Sequence, residues 1–163
     1  MSRYDELVPL AQAYAKGFFS AREKAAEDIV LLVNGYCSYL GVPPDKVQWF
    51  NVDKDFKVSG EPAIGWAGED MQEVLDGFWG CMVAIEFGAH PADGYLKQRN
   101  FIAVKDEGSK LGVRLGKDGR VFSVDRSDPK SGLVLFEHWF TSTKDELQRA
   151  ASGSHRPIGF LAG

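Results

Sequence analysis

Cysteine, histidine and long apolar runs are scarce in this chain of 163 residues. The longest apolar run near the N-terminus is Ile29 to Val33, whereas a membrane-spanning helix needs about 20 apolar residues. The first residues include Asp5 and Glu6 and contain no basic segment followed by an apolar stretch, so the sequence predicts no secretory signal. We therefore expect a cytoplasmic protein that does not contact membranes.

Motifs for metals and phosphates are also missing. The two cysteines, Cys37 and Cys81, lie among apolar residues, which favours buried and reduced thiols over metal ligands. The three histidines form no HExxH or HxH pair, and neither GxGxxG nor GxxxxGKS/T occurs. The sequence therefore predicts no metal and no cofactor.

The composition is that of one ordinary folded domain. Apolar residues make up 44% of the chain, and the 11 Phe, 5 Tyr and 4 Trp can fill a core without disulfides. We predict a single domain over 1–163, with 154–163 as a loose tail. The net charge of -4 is opposite in sign to that of a nonspecific nucleic-acid binder.

Helical periodicity dominates the first forty residues. Apolar residues recur every three or four positions at Leu7, Ala11, Tyr14, Phe18, Ala25, Ile29, Val33, Tyr36 and Leu40. Gly17 and a capping box at Ser20 to Glu23 predict two helices, about 3–16 and 21–40. One long helix bent near Gly17 is the alternative, because a glycine costs only about 1 kcal/mol there. Leu7, Tyr14, Ile29 and Val33 are expected in the core.

The periodicity then changes to two. Strands are predicted at 47–53, 79–87, 99–105, 111–115 and 120–124. Cys81, Val83 and Ile85 should be buried, and the Asp118-Gly119 turn should close an antiparallel hairpin. A loop over 60–68, helices at 69–76 and 144–152, and an ambiguous segment at 133–140 complete the pattern. We predict an α+β fold in which two N-terminal helices pack on a mainly antiparallel sheet of about five strands, with a C-terminal helix.

Charge is unevenly distributed along the chain. The segment Asp53 to Asp76 has seven acids and two bases. A negative field beside an exposed tryptophan would steer a basic protein partner, although a merely solvated loop has the same composition. The sequence thus predicts a regulatory or inhibitor protein that binds a basic protein through an acidic surface. The predicted binding residues are Asp53, Asp55, Glu61, Trp66, Glu69, Asp70 and Glu73.

Two alternatives remain open. An enzyme could assemble its site from Glu86, His90 and His138, in a pocket rimmed by Trp66 and Trp79. A nucleic-acid-binding module could instead use the basic hairpin region at 97–130, where Arg114 and Arg120 would lie close together across the turn. Interleaved acids weaken that second alternative.

Overall fold

The computed structural model describes residues 2–63, 68, 70–87, 96–116, 119–152 and 160–162. Within these residues the chain forms two α-helices, α1 (Arg3–Leu40) and α2 (Gly132–Ala151), and eight strands. The strands are β1 (Val47–Val52), β2 (Val58–Ala63), β3 (Gln72–Leu75), β4 (Phe78–Phe87), β5 (Leu96–Glu107), β6 (Lys110–Leu115), β7 (Val121–Asp125) and β8 (Phe160–Ala162). No helix in this described part is long and apolar enough to cross a membrane.

All strands pair antiparallel in one sheet, in the order β2-β1-β4-β5-β6-β7. Strand β3 pairs with β4 beyond the end of β1, and β8 pairs with β5. The predicted α+β class and antiparallel sheet are confirmed, but the sheet has more strands than the five predicted. The predicted loop over 60–68 is wrong at 60–63, which belong to β2, and 64–67 lie outside the described residues. The helix predicted at 69–76 is wrong, because β3 lies there.

The helix prediction for 69–76 fails because a tight turn folds this segment back onto β4. Gly77 adopts a φ of +80°, and its N–H donates to the Glu73 carboxylate at 2.8 Å. Val74 is buried in a small cluster with Phe78 and Phe101, on the sheet face opposite the helices. Pairing with β4 and this burial stabilise a strand of only four residues.

Helix α1 runs without interruption through Gly17, so the prediction of two helices is wrong and the single helix is correct. The helix begins at a capping box, in which Ser2 and Asp5 satisfy each other's backbone donors. It ends at Gly41, which has a φ of +74° and closes the last turn. No atom of another described element lies within 4 Å of the position that a Cβ on Gly17 would take. No such tertiary contact therefore distorts the helix at this residue.

The main core lies between the helices and one face of the sheet. Ile29, Val33, Cys81, Val83 and Ile85 are fully buried there, as predicted. Burial raises the pKa of the Cys81 thiol, and both cysteines are free. Leu7 and Tyr14 are also predicted to be buried, and that is wrong: they are 62% and 75% exposed.

Helix α2 begins twelve residues before the predicted helix at 144, so the ambiguous segment 133–140 is helical. Leu135 and Trp139, four residues apart, are buried against the sheet and α1. Thr143 lies within the helix, and its hydroxyl donates to Gln98 at 2.9 Å. The buried Gln98 in turn donates to Glu146 at 3.2 Å, so this polar group in the core has partners.

Candidate protein-binding surfaces

The predicted acidic segment is split between two places in the fold. Asp53 and Asp55 lie in the turn between β1 and β2, and Asp70 and Glu73 lie at the start of β3. Asn51 of β1 pairs with Cys81, and Gln72 of β3 pairs with the next residue of β4, Gly80. The end of β1 and the start of β3 are therefore neighbours along β4, which brings the two acidic stretches to one part of the sheet.

Two of these acids have local structural roles. The Asp53 carboxylate accepts hydrogen bonds from the backbone N–H groups of Asp55 at 2.8 Å and Lys57 at 3.0 Å. Glu73 holds the turn at Gly77, as described above. Asp55 and Asp70 are exposed, and the backbone of Glu61 lies in β2. The remaining predicted binding residues, Trp66 and Glu69, lie outside the described residues.

Two residues of the enzymatic alternative, Glu86 and His138, lie on opposite faces of the sheet. Glu86 alternates along β4 with Ile85, which faces the helices, so its side chain lies on the opposite face, 3.6 Å from Lys46. His138 is exposed on α2, with its ring 5.0 Å from that of Phe122. His90 lies outside the described residues, among which no cluster of three or more His, Cys, Asp and Glu residues could hold a metal.

The basic residues of the 97–130 region are spread over both faces of the sheet. Arg114 is paired across the ladder with Val121, whereas the Arg120 guanidinium lies over the Phe122 ring at 4.2 Å. Val121 and Phe122 are consecutive in β7, so the two arginines point to opposite faces. Arg126 forms ion pairs with Asp28 and Asp106. The predicted approach of Arg114 and Arg120 is therefore wrong.

The cavities beside α2 include two whose linings contain residues of both helices and of the sheet. One of about 380 Å³ is lined largely by apolar side chains, among them Leu40, Phe87 and Phe140. The other, of about 320 Å³, lies between α1 and the segment that leads into α2, and it contains Asp28 and Arg126. Arg126 donates to both carboxylate oxygens of Asp28, at 2.6 and 3.0 Å. The charges in this cavity therefore hold α1 to the sheet.

A large exposed apolar surface lies at the start of α1. Phe18 contacts Trp79 of the sheet, with the ring centroids 5.2 Å apart. The fifteen residues before it, 3–17, form a helical segment about 22 Å long, which we call the arm. Tyr4 is 74% exposed and Leu10 is 66% exposed, in addition to the exposed Leu7 and Tyr14.

The apolar stripe of the arm continues the core face of α1. An α-helix advances about 100° per residue, which places Leu7, Ala11, Tyr14 and Phe18 on the same side as Ile29, Val33 and Tyr36. From Ala25 onward this side is buried against the sheet and α2. In the arm the same side faces solvent. The sequence pattern identifies the stripe correctly but assigns its first half to the core.

Comparison with known proteins assigns no family or function. No protein-family model, curated protein or solved structure gives a significant match to this chain. The functional argument therefore depends on the geometry above, in which the arm and the acidic surface are the two candidate sites.

Proposed function

We propose that this protein acts by binding another protein chain through the apolar side of the arm. The observation that carries the proposal is that Tyr4, Leu7 and Tyr14 are mostly exposed while lying in phase with the buried side of the same helix. Contiguous exposed apolar surface on a regular helix is typical of a helix that binds a groove or a second helix. This agrees with a regulatory or inhibitory protein.

Isolated apolar residues on a surface need no partner, and α1 offers an example for comparison. Leu31 is 70% exposed, but it lies on the side of α1 away from the stripe and is not part of it. The arm differs because its exposed residues share one side over four turns. Tyrosine is enriched among residues that dominate binding energy, and burial of each leucine contributes about 1.5–3 kcal/mol. Tyr4, Leu7 and Tyr14 are therefore the proposed anchors.

Site-specific photo-crosslinking in cells tests this proposal. A benzophenone amino acid in place of Tyr14 should give a discrete covalent adduct with a protein, because the partner would cover this position. The same amino acid in place of Leu31 is the matched control, since it lies on the same helix with similar exposure. Equal labelling from both positions, or no adduct from Tyr14, would contradict the proposal.

The acidic surface is a second candidate site, for a basic protein partner. The observation that favours it is the pairing of β1 and β3 along β4, which brings exposed Asp55 and Asp70 to the same part of the sheet. Clustered exposed charge accelerates association with a partner of opposite sign more than it strengthens the final complex.

Charge reversal tests this second site. The double variant Asp55→Lys and Asp70→Lys should slow association with an oligolysine peptide about tenfold at low salt, with little change in stability. The control, Glu23→Lys and Asp145→Lys, changes the net charge equally at exposed positions elsewhere. The difference between the two variants should shrink as salt is added, because the Debye length is about 8 Å at physiological ionic strength. An equal effect of both variants would show that only net charge matters.

A further inference from the structure

We infer that the partner of the arm is a second copy of this chain, bound antiparallel so that the two arms cross at Ala11. The inference rests on the proposed function and names the partner of that same surface. A two-fold axis through Ala11 would make the interface isologous, so that each stripe would cover the other.

The order of large and small residues along the stripe fits this symmetry. Tyr4 and Phe18 lie seven residues on either side of Ala11, and Leu7 and Ala15 lie four residues on either side. An antiparallel crossing therefore places a large residue of one arm opposite a small residue of the other at Leu7 and Ala15. The small Ala11 at the centre allows the two helices to approach closely.

The base of the arm offers a site for the far end of the other arm. Phe18 is 37% exposed and Phe19 is 55% exposed, and their rings meet edge to face at 5.8 Å. The Arg22 guanidinium lies over the Phe19 ring at 5.1 Å. Tyr4 of one copy would stack on this aromatic surface of the other, next to Trp79. Aromatic pairs of this kind contribute beyond the area that they bury.

The exposed area is sufficient for a specific dimer. With roughly 200 Å² for a whole aromatic side chain, the aromatic residues Tyr4, Tyr14, Phe18 and Phe19 present on the order of 500 Å² per copy. Leu7 and Leu10 add to this area. Two copies would then bury more than about 1,000 Å², the size at which specific protein interfaces begin.

Sedimentation of the full chain measures the association. We expect a species of twice the 18.0 kDa chain mass at micromolar concentration. The double variant Leu7→Glu and Tyr14→Glu should raise the dissociation constant at least a hundredfold without lowering Tm, because both side chains are exposed within one copy. Leu31→Glu is the control and should remain dimeric.

Disulfide trapping measures the orientation. Both native cysteines are buried, so a cysteine introduced on the arm is the accessible thiol under mild oxidation. Ala11→Cys should crosslink to itself, whereas Leu7→Cys and Ala15→Cys should crosslink when mixed and not alone. Self-linking of Leu7→Cys would indicate parallel arms and overturn the antiparallel inference.

The failure of this inference can be distinguished from the failure of the proposed function. Self-association would be overturned if the wild-type chain sediments as a monomer and the Ala11→Cys variant gives no crosslink. If the photo-crosslinker at Tyr14 then captures a different protein, the arm is still a binding surface and only the partner inferred here is wrong. If it captures nothing, both proposals are wrong.

Discussion

Replacement of Trp139 by alanine should lower the free energy of unfolding by about 3–5 kcal/mol. Trp139 is 2% exposed, and its indole stacks on the Tyr36 ring with the centroids 4.0 Å apart. This pair joins α2 to α1 over the sheet, so deletion of the indole leaves a cavity at the meeting point of three elements. Urea unfolding followed by circular dichroism would measure the loss.

Two further variants give this prediction its controls. Trp139→Phe should lower the free energy of unfolding much less, because it keeps an aromatic ring and removes an indole N–H that has no hydrogen-bond partner among the described residues. Phe140→Ala changes a neighbouring residue that is 39% exposed, and it should have a smaller effect than Trp139→Ala. A loss below 1 kcal/mol for Trp139→Ala would contradict the described packing of α2.

Replacement of Arg126 by methionine should destabilise the protein by about 3 kcal/mol. Asp28 is only 7% exposed, and Arg126 donates to both of its carboxylate oxygens. Loss of the guanidinium leaves a carboxylate buried without its cation. The double variant Asp28→Asn and Arg126→Met should recover part of the stability, because an amide costs less to bury than a charge. Equal stability of the two variants would indicate that Asp28 is solvated.

Acid unfolding gives a second readout of the same cluster. Lys24 donates to Asp106 at 2.8 Å and, with Arg126, lowers the pKa of that carboxyl to about 2 from its ordinary value of 3.8. Because the pKa is lowered in the folded state, the contribution of Asp106 to stability is complete above about pH 4 and is lost as pH falls through about 2. In Arg126→Met one of the two cations is gone, so the pKa of Asp106 should be lowered less, and the loss of stability should be smaller and complete at a higher pH.

The sequence predicts the core half of α1 and misplaces the arm, for one physical reason. A helix that buries one side has the same 3.6-residue periodicity whether the cover is its own sheet or another molecule. Leu7 and Tyr14 repeat in phase with Ile29 and Val33, so the pattern alone does not separate them. Only the position of the sheet edge, which begins to cover α1 near Phe18, makes that distinction.

The sequence does not predict strands β2 and β3, because they are stabilised by pairing with β1 and β4 and not by their own residue pattern. Strand β2 contains Gly60 and Pro62, which are poor strand formers and are tolerated here because β2 is at the sheet edge. Strand β3 has four residues, too few for a clear alternation, and its hydrogen bonds depend on β4. The density of acids along the chain indicates the acidic surface, but its division between the β1–β2 turn and the start of β3 follows from this pairing.

The unbroken course of α1 has a kinetic consequence for the arm. Nucleation of an isolated helix is unfavourable, with an equilibrium constant of about 10⁻³. The half of α1 that packs on the sheet is already helical, so the arm needs no nucleation step of its own. Each arm residue therefore only extends an existing helix, which stays preformed before any encounter. Pro9 lacks the N–H that would bond the Asp5 carbonyl, so unwinding should start between it and Ser2. Ala11 and Tyr14 lie after Pro9, so both residues are already helical when a partner arrives. This favours fast association.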